Sequence, residues 1–542
     1  MRRLLASPIF HALLVVALAF ALFTPGLGLS GYAHAEAFRV QPAYEMLETG
    51  DLLVVRLFEQ AYLRKPPGMP WAIALSTLTF GPGEFASRFV SAVAIAIGAL
   101  ASLLFIQRWF GKPFGLIAGL AFVLAPAFWW YPPIARSAEI EALHNTFVLA
   151  AALLILQTLL GRLHSYGNPR AWLRTLALAL ALTLALTGAL LSKGPAGLPV
   201  VIAACVAGFA LRRRDPIFAH AAARDWLAVF IAFAIAAASL AGWAWLANHR
   251  VQAAGETVVL ESPTLFLFQA KRLLGIALLP LEVLLAALPT SLGIIAIACY
   301  HRSILREPST HAPLRIAQAL ALTAALSIAI FMLFGVGNNR YALPAIALFP
   351  AACGAGAWVL LRRARTFTTL ARAHEHARLR RFAYVITPLL LAAAIFSAWY
   401  GEHRRNERTS GKSFGLELGS YLTHDAQLWA DQVIDTRPEV IMAAVNVAHA
   451  KGIHIRPRWM PISLWRTQSH ETTVPLPPAG SFVLLRTDDQ PRRDQYELDE
   501  EHEYAHYMPR LRHIHTGKVH NFEYQLFEVL ALPASVSSPV MP

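Results

Sequence analysis

The chain has 542 residues, of which 56% are hydrophobic and only 15% are charged, and its mean hydropathy is +0.47. A soluble globular protein has about 45–50% apolar and about 25% charged residues, and here the apolar excess falls in blocks of about 20 residues, the length that crosses a bilayer. The composition therefore excludes an ordinary soluble protein, and the net charge of +14 does not indicate nucleic-acid binding, because residues 401–542 carry slightly more acid than base.

Long apolar runs predict about eleven transmembrane helices. The first run, about residues 9–29, follows the basic N-terminus Met1-Arg-Arg3. Ala33-His-Ala35 resembles a signal-peptidase site, but we expect an uncleaved span, because the run is long enough to cross the membrane and many spans follow it. The further runs are residues 86–107, 114–131, 142–160, 172–191, 196–211, 225–247, 279–299, 316–336, 341–361 and 382–400.

The positions of arginine and lysine predict the orientation of these spans. Basic clusters fall in alternate loops, and short basic loops of membrane proteins face the cytoplasm. This predicts that the N-terminus faces the cytoplasm. We expect a multi-pass protein of a bacterial inner (plasma) membrane. Residues 401–542 then face the periplasm or the cell exterior. We therefore predict a membrane domain at residues 1–400, whose first extracytoplasmic loop spans 31–85, and an extracytoplasmic domain at residues 401–542.

The C-terminal part changes from long apolar runs to short ones. Ser481-Phe-Val-Leu-Leu485 and Phe522-Glu-Tyr-Gln-Leu-Phe527 have the pattern of strands, and Ser420–Asp435 is predicted to be helical. The predicted fold class is thus an α-helical polytopic membrane protein with a C-terminal α/β extracytoplasmic domain.

Polar residues gather at the ends of spans on the predicted extracytoplasmic side. The first loop carries Glu36, Arg39 and the run Arg64-Lys65-Pro66-Pro67. Charges of both signs at one membrane face favour a site that handles an anionic group beside a general base. Later loops on the same side add Arg136-Ser-Ala-Glu139-Ile-Glu141, Ser192-Lys193-Gly194-Pro195, Asn248-His249-Arg250 and Gly337-Asn-Asn-Arg340-Tyr341.

Each of these runs also has a purely structural interpretation. Lys193-Gly194-Pro195 is what a helical hairpin requires, with a basic last turn, a glycine cap and a proline that opens the next helix. Lys65 before two prolines also fits a side chain that snorkels to the interface. Glu139 and Glu141 also fit acids in solvent above a helix, although Glu141 borders an apolar run and is the less expected to be idle.

In order and spacing, several of these pieces resemble the GT-C glycosyltransferases that use polyprenyl-phosphate sugars. Most similar is glycosyltransferase family 39, the protein O-mannosyltransferases and the lipid A aminoarabinose transferases. The resemblance covers about residues 10–360, and the tail matches in placement alone. The matching pieces are Glu36 with Met46-Leu-Glu-Thr-Gly-Asp51, Tyr62-Leu-Arg-Lys-Pro-Pro67, Ala135-Arg136 with its following acid, Ser192-Lys-Gly-Pro195 and Arg340-Tyr-Ala-Leu-Pro344.

The resemblance implies transfer of a sugar from a membrane-embedded polyprenyl phosphate to a lipid, glycan or protein acceptor at the extracytoplasmic face, with inversion. Such a reaction requires a carboxylate that orients and deprotonates the acceptor. It also requires cations that hold the phosphate and stabilise its charge as it leaves. By position in the motifs, Glu36 and Glu141 are the implied catalytic residues. The implied phosphate-binding residues are Arg64, Lys65, Lys193, Arg340 and Tyr341.

The chain also departs from the family pattern. Ala35-Glu36 stands where the family usually has Asp-Glu, so Glu36 takes the role of the base or the activity is altered. The second acid is Glu141 rather than Asp. The loop that begins at Asn248 lacks the His/Phe/Arg-rich motif of the aminoarabinose enzymes, which leaves the sugar and acceptor open. No cofactor is certain, and a divalent metal held by Glu36 and Glu141 through oxygen ligands is left open.

Two other classes of function fit a polytopic chain. A transporter or flippase usually places ionisable groups near the bilayer midplane. Here the spans are largely free of charge away from their ends, which favours the enzyme. An inactive relative that acts as a binding protein through its tail is kept open by the alanine at position 35.

Overall fold

The structure of the protein is a computed structural model. It describes residues 7–32, 36–125, 134–160, 171–212, 222–255, 273–304, 311–336, 340–364, 392, 395, 410–430, 438–459, 477–486, 510–519 and 522–531. Contacts divide the chain into two compact units. The first, here the helical unit, is Met1–Leu27, Lys65–Ala247 and Pro263–Gly401, and the second, here the mixed unit, is Gly28–Arg64, Asn248–Ser262 and Glu402–Pro542.

The described elements before residue 400 are nearly all helical. In chain order they are α1 (Pro8–Phe23), α2 (Ala37–Thr49), β1 (Arg56–Leu57), β2 (Gln60–Ala61), α3 (Gly68–Phe80), α4 (Glu84–Phe110), α5 (Lys112–Val123), a 3₁₀ turn (Ile134–Arg136), α6 (Ile140–Leu160), α7 (Ala171–Lys193), a 3₁₀ turn (Gly194–Gly197), α8 (Leu198–Arg212), α9 (Ala222–Ala253), α10 (Leu273–Ala286), α11 (Leu292–Ile304), α12 (His311–Leu333), α13 (Leu343–Ile346) and α14 (Phe349–Ala364). After residue 400 they are α15 (Ser410–Tyr421), β3 (Ala426–Ala430), α16 (Pro438–Ala450), β4 (Ile455–Trp459), β5 (Phe482–Arg486), β6 (Leu511–Val519) and β7 (Phe522–Val529).

Six helical segments among the described residues are long and apolar enough to cross a membrane, which agrees with the predicted membrane fold. They are Glu84–Phe110, Ile140–Leu160, Thr175–Arg212, Asp225–Ala253, Ala312–Leu333 and Leu343–Arg363, the third of which contains the turn Gly194–Gly197. Shorter apolar helices lie at Pro8–Phe23, Lys112–Val123 and Leu274–Ala286. The number eleven stays a prediction, because most of the run 382–400 lies outside the described residues.

Helix α6 lies in the interior of the helical unit. It packs against α4, α7 and α8. Of its most apolar window, 78% is buried, against 22% for Asp225–Ala253, so α6 is surrounded by other helices while α9 is mostly exposed on the surface of the protein. Val148, Leu149 and Leu156 of α6 belong to the main hydrophobic core. Any charge at the first turn of α6 is thus held against neighbouring helices.

The predicted first loop, residues 31–85, is more structured than an interface loop. It contains α2, the short hairpin β1–β2 and the apolar helix α3. The sequence analysis did not predict α3, because its 13 residues are fewer than a bilayer crossing requires. Helix α3 packs against both α4 and α7.

The C-terminal part of the mixed unit is a five-stranded sheet in the order β4-β3-β5-β7-β6. Strand β3 pairs in parallel with β4 and β5, and β7 pairs antiparallel with β5 and β6. Helices α15 and α16 pack on each other, and α16 also contacts α2 of the first loop. The predicted α/β character is confirmed. The division of the chain at residue 400 into membrane and extracytoplasmic domains stays a prediction, because compactness does not say which residues lie outside the bilayer.

Two of the three local predictions in this part are confirmed, since β5 and β7 cover the predicted strands. The predicted helix over Ser420–Asp435 is wrong over residues 422–430, and residues 431–435 lie outside the described residues. Helix α15 ends at Tyr421, and Ala426–Ala430 is strand β3, which lies between β4 and β5 in the sheet. Its pairing on both edges outweighs local helix propensity, as tertiary context often does.

Candidate active site

Charged side chains from distant parts of the sequence converge at the start of α6. Oε1 of Glu141, in the first turn of α6, accepts hydrogen bonds from Nζ of Lys193 at 3.1 Å and from Nε of Arg340 at 3.2 Å. Nη2 of Arg340 also donates to Oε2 of Glu139. We call Glu139, Glu141, Lys193 and Arg340 the charge cluster. Its two acids face two bases, so each carboxylate is compensated although both are largely buried.

Lys193 reaches the cluster because α7 ends there. It is the last residue of α7, and Gly194 follows with φ of +67°, a left-handed conformation that glycine adopts without steric cost. Pro195 lies in the 3₁₀ turn that leads into α8. The predicted helical hairpin is therefore confirmed, and its basic last residue also contributes the Nζ that binds Glu141.

Arg340 enters the cluster from the turn that precedes α13, and Tyr341 follows it in the same turn. Nζ of Lys193 lies 5.7 Å from the centroid of the Tyr341 ring, within cation–π range. Burial lowers the pKa of the Arg340 guanidinium, but Glu139 and Glu141 raise it by more, so the pKa lies above its ordinary value. The Arg340 side chain is 38% exposed, so this cation has access to solvent. The preceding Gly337–Asn339 lie outside the described residues.

The segment after Lys65 lies against the end of α7. A Cβ atom on Gly68 would be 2.7 Å from the carbonyl oxygen of Leu191 and 3.0 Å from the amide nitrogen of Ser192. Only a residue without a side chain allows this approach. Since Gly68 begins α3 and Lys65 lies three residues before it, the structure brings the Lys65 segment to the helix end that carries Lys193.

His144 is a polar residue of this region that the sequence analysis did not identify. It lies one helical turn after Glu141 and is buried in α6. Its Nδ1 is 3.1 Å from the carbonyl oxygen of Ala189 and 3.2 Å from Oγ of Ser192, so it ties α6 to the last turn of α7. Its position three residues after Glu141, on the same helical face, is the signal that could have identified it.

Arg136 has a structural role at the end of the first helix. Its Nη2 donates to the carbonyl oxygen of Pro25 at 2.6 Å, and Nη1 lies 3.3 and 3.4 Å from the carbonyl oxygens of Leu22 and Phe23. Arginine at a helix C-terminus satisfies carbonyl groups that lack partners within the helix. Arg136 thus fixes the end of α1.

The remaining candidates, Glu36 and Arg64, belong to the mixed unit. Glu36 is 1% exposed and lies directly before α2, at its positively polarised N-terminus, where a carboxylate is stabilised. The ring of Phe38, in the first turn of α2, stacks on Tyr62 at 5.9 Å between centroids. Cζ of Arg64 lies 5.6 Å from the centroid of the same Tyr62 ring. Tyr62 therefore links the start of α2 to Arg64.

Lys65 and the charge cluster with Tyr341 belong to the helical unit, whereas Glu36 and Arg64 belong to the mixed unit. The joint action of Glu36 with the cluster therefore stays a prediction, and Ala33–Ala35 lie outside the described residues. Among the residues that the structure describes, no group of three or more His, Cys, Asp or Glu side chains is placed to hold a metal ion. A metal shared by Glu36 and Glu141 remains open.

Comparison with known proteins gives a match to one family model and a similarity of fold to solved structures. Residues 64–243 match the family model described as dolichyl-phosphate-mannose-protein mannosyltransferase. The fold is similar to that of ArnT from Cupriavidus metallidurans bound to undecaprenyl phosphate, with a TM-score of 0.59 and 16% identity over 95% of this chain and 97% of that chain. The same protein in the apo state gives 0.57 and 17% over the same shares. No curated protein sequence matches the chain.

A more distant likeness is to the oligosaccharyltransferase AglB from Archaeoglobus fulgidus, with a TM-score of 0.46 and 12% identity over 78% of this chain and 62% of that chain. The family match and the ArnT-like fold together confirm the predicted resemblance to GT-C glycosyltransferases of the family 39 type. They also confirm the predicted fold class.

Proposed function

We propose that this chain, a membrane protein with the GT-C fold and a resemblance to glycosyltransferase family 39, transfers a sugar from a polyprenyl-phosphate carrier to a lipid, glycan or protein acceptor. The observation that carries this proposal is the charge cluster. Two cations converge on one carboxylate oxygen at the ends of apolar helices, where the phosphate of a membrane-embedded carrier would lie. ArnT, whose fold this chain resembles, was crystallised with undecaprenyl phosphate, a carrier of this class.

The cations of the cluster suit a phosphate in different ways. Nζ of Lys193 is a compact point charge, and the planar guanidinium of Arg340 presents several donors in a fixed fork. In the described structure the cluster is balanced, with two acids for two bases. Lys65 adds a positive charge to the segment before Gly68, the residue that lies against the end of α7. The low dielectric at buried helix ends strengthens these interactions as negative charge develops on the leaving phosphate.

The two catalytic candidates take different roles in this proposal. Glu36 accepts the proton of the acceptor hydroxyl as its oxygen attacks the anomeric carbon, and the bond to the phosphate breaks with its electron pair staying on the phosphate. Inversion follows, because attack and departure occur on opposite faces. Oε1 of Glu141 already binds Lys193 and Arg340. We therefore assign Glu141 to the orientation of these cations rather than to proton transfer.

The arrangement of the bundle supports an extracytoplasmic site. The start of α6 and the end of α7 carry the cluster. The far ends of α6 and α8 meet where Arg212 binds the carbonyl oxygen of Leu159 at 3.4 Å and Oδ2 of Asp225 at 2.9 Å. Arg212 begins a basic run, Arg212–Arg214, of the type that faces the cytoplasm. The cluster lies at the opposite end of these helices.

Binding of undecaprenyl phosphate to the purified protein in nanodiscs tests this proposal. The substitution Arg340→Gln removes the guanidinium that bridges Glu139 and Glu141, and we expect the affinity to fall by about ten- to hundredfold, the effect of losing a charged hydrogen-bond partner. Arg315→Gln, in the part of α12 predicted to face the cytoplasm, is the matched control and should bind as the wild type does. Equal affinity for all three proteins would contradict the proposed site.

A further inference from the structure

The first loop contains a hairpin whose turn has an unfavourable backbone conformation. Strand β1 pairs with β2 in the register Leu57↔Gln60, which leaves Phe58 and Glu59 as the two turn residues. Their φ angles are +54° and +65°. A two-residue turn with both residues left-handed is normally made by Asn-Gly or Asp-Gly, because other side chains meet a steric cost there. Something else must therefore hold this turn.

The carboxylate of Glu45 holds it. Oε1 accepts a hydrogen bond from the backbone N–H of Phe58 at 2.6 Å, and Oε2 accepts one from the N–H of Glu59 at 2.9 Å. Nε2 of Gln41, one turn earlier in α2, donates to the same Oε1 at 2.8 Å. Hydrogen bonds to an ionised acceptor are among the strongest in proteins.

Glu45 is itself held in a poorly solvated position. The residue is 6% exposed. Burial raises the pKa of the carboxyl above its ordinary value, while the hydrogen bonds from Gln41, Glu59 and Phe58 oppose that rise. Both carboxylate oxygens accept hydrogen bonds from the turn, so the position of Glu45 fixes the conformation of the turn.

The hairpin leads directly to two of the phosphate candidates. The N–H of Tyr62 donates to the carbonyl oxygen of Val55 at 2.8 Å, which continues the pairing beyond β2. The Tyr62 ring then contacts both Phe38 of α2 and the guanidinium of Arg64. Helix α2 thus fixes the hairpin at both ends, through Glu45 at its turn and through Phe38 at the residue that supports Arg64.

We propose that Glu45 is a positioning residue, which holds the Phe58–Glu59 turn in its left-handed conformation and thereby places Arg64 and the adjacent Lys65 for the donor phosphate. This role rests on the proposed function, since it presumes a polyprenyl-phosphate donor. Glutamine is not an adequate replacement, because its amide has only one oxygen acceptor. Its NH₂ group would face one of the two backbone N–H groups that donate to Glu45, and two donors cannot form a hydrogen bond.

The proposal predicts that a second substitution, which removes the steric cost of the left-handed turn, makes the hydrogen bonds to Glu45 unnecessary. Glycine adopts the left-handed conformation without steric cost. The Glu59 side chain is 55% exposed and its ion pair with Arg458, at 3.7 Å, is a surface contact of little energetic value. Glu59→Gly is therefore a suitable second change, whereas Phe58 is buried and is left in place. Glu48→Gln, an exposed acid of the same helix, is the matched control.

The experiment measures amide hydrogen exchange of peptides that cover residues 54–64, together with binding of undecaprenyl phosphate, on the full-length protein in nanodiscs. In Glu45→Gln we expect exchange about tenfold faster and donor affinity about tenfold weaker, the effect of one charged hydrogen bond. In Glu45→Gln/Glu59→Gly both should recover. Glu48→Gln should match the wild type in both.

An unchanged rate of amide hydrogen exchange in Glu45→Gln would contradict the claim that Glu45 holds the turn, whatever the protein binds. Faster exchange with unchanged donor affinity, or a failure of Glu59→Gly to restore either value, would overturn the positioning role. A wild-type protein that binds no polyprenyl phosphate would overturn the proposed function, and the positioning role with it. The exchange data distinguish that result from the failure of the anchor.

Discussion

The charge cluster is assembled from residues far apart in the sequence, whereas the first-loop hairpin is built within a short stretch. Arg340 and Glu139 are 201 positions apart, while Glu45 and Phe58 are separated by 13. In the cluster, each charge is balanced by opposite charges. One substitution therefore leaves a buried charge with less compensation in a poorly solvated environment. In the hairpin, one carboxylate holds two backbone groups, so one substitution acts on the whole turn.

The largest expected effect lies in the mixed unit, at the proposed base. Glu36→Gln keeps the size of the side chain but removes proton acceptance, and turnover should fall by about 10²–10⁴-fold, the usual contribution of a general base. Steady-state transfer rates measure this, with size-exclusion elution and thermal stability as checks on folding. Glu48→Gln, in the helix α2 that follows Glu36, is the control. Wild-type turnover in Glu36→Gln would remove the assignment of Glu36 as the base.

The next effect concerns the donor rather than the base. Lys65→Ala should lower kcat/KM for the polyprenyl-phosphate sugar by about ten- to hundredfold, because a charge-assisted contact to phosphate is lost. Lys112→Ala, in a basic loop predicted to be cytoplasmic, should leave kcat/KM unchanged. If both lysines prove equally dispensable, Lys65 has only the snorkelling role that its sequence context also allows.

The free energy of unfolding also distinguishes the two regions, by smaller effects. Arg340→Ala leaves Glu139 and Glu141 with one cation between them, and because Arg340 is 38% exposed and partly screened, we expect a loss of about 1–3 kcal/mol. Arg250 pairs with Asp51 of the first loop at 3.0 Å but is 59% exposed, so Arg250→Ala should cost about 0–1 kcal/mol.

Chemical or thermal unfolding monitored in detergent measures both values. A double-substitution cycle of Arg340→Ala with Glu139→Gln should give a coupling of about 0.5–3 kcal/mol. Additive effects would show that these residues do not act as a cluster.

The one expected gain is in turnover. Ala35→Asp introduces the acid that the family usually has before its glutamate, and turnover should rise about tenfold if Glu36 alone is a weak base, within the range for acid–base groups. Transfer rates at saturating donor measure it, and Ala35→Asn is the uncharged control. No gain with Asp would indicate that Glu36 already supplies the full base function.

The sequence was sufficient for the elements that depend on local chemistry. Lys193-Gly194-Pro195 predicted the helical hairpin correctly, because a left-handed glycine and a following proline stop one helix and start the next. Apolar runs likewise predicted the membrane fold. The strand at Ala426–Ala430 was missed, since its pairing with two distant strands decides its conformation.

The sequence predicted which residues belong to the candidate site, but it did not predict how they contact one another. Motif position named Glu141, Lys193 and Arg340, but their hydrogen bonds depend on the packing of α6, α7 and the turn before α13. For Glu139 the sequence left two interpretations open, a solvent-facing acid or a member of the site, and in the structure it binds Arg340. Glu45 gave no signal, because the turn it holds has the sequence Phe-Glu rather than Asn-Gly and therefore does not look like a hairpin.

The measurement that tests the account most directly is a transfer assay in proteoliposomes. It uses radiolabelled polyprenyl-phosphate sugars as a panel of donors and extracted membrane lipids, glycans and proteins as acceptors. We predict that label moves from one donor to an acceptor in the wild type and that Glu36→Gln abolishes this transfer without abolishing donor binding. A wild-type protein that binds none of the donors and transfers no label would contradict the account and favour a transporter.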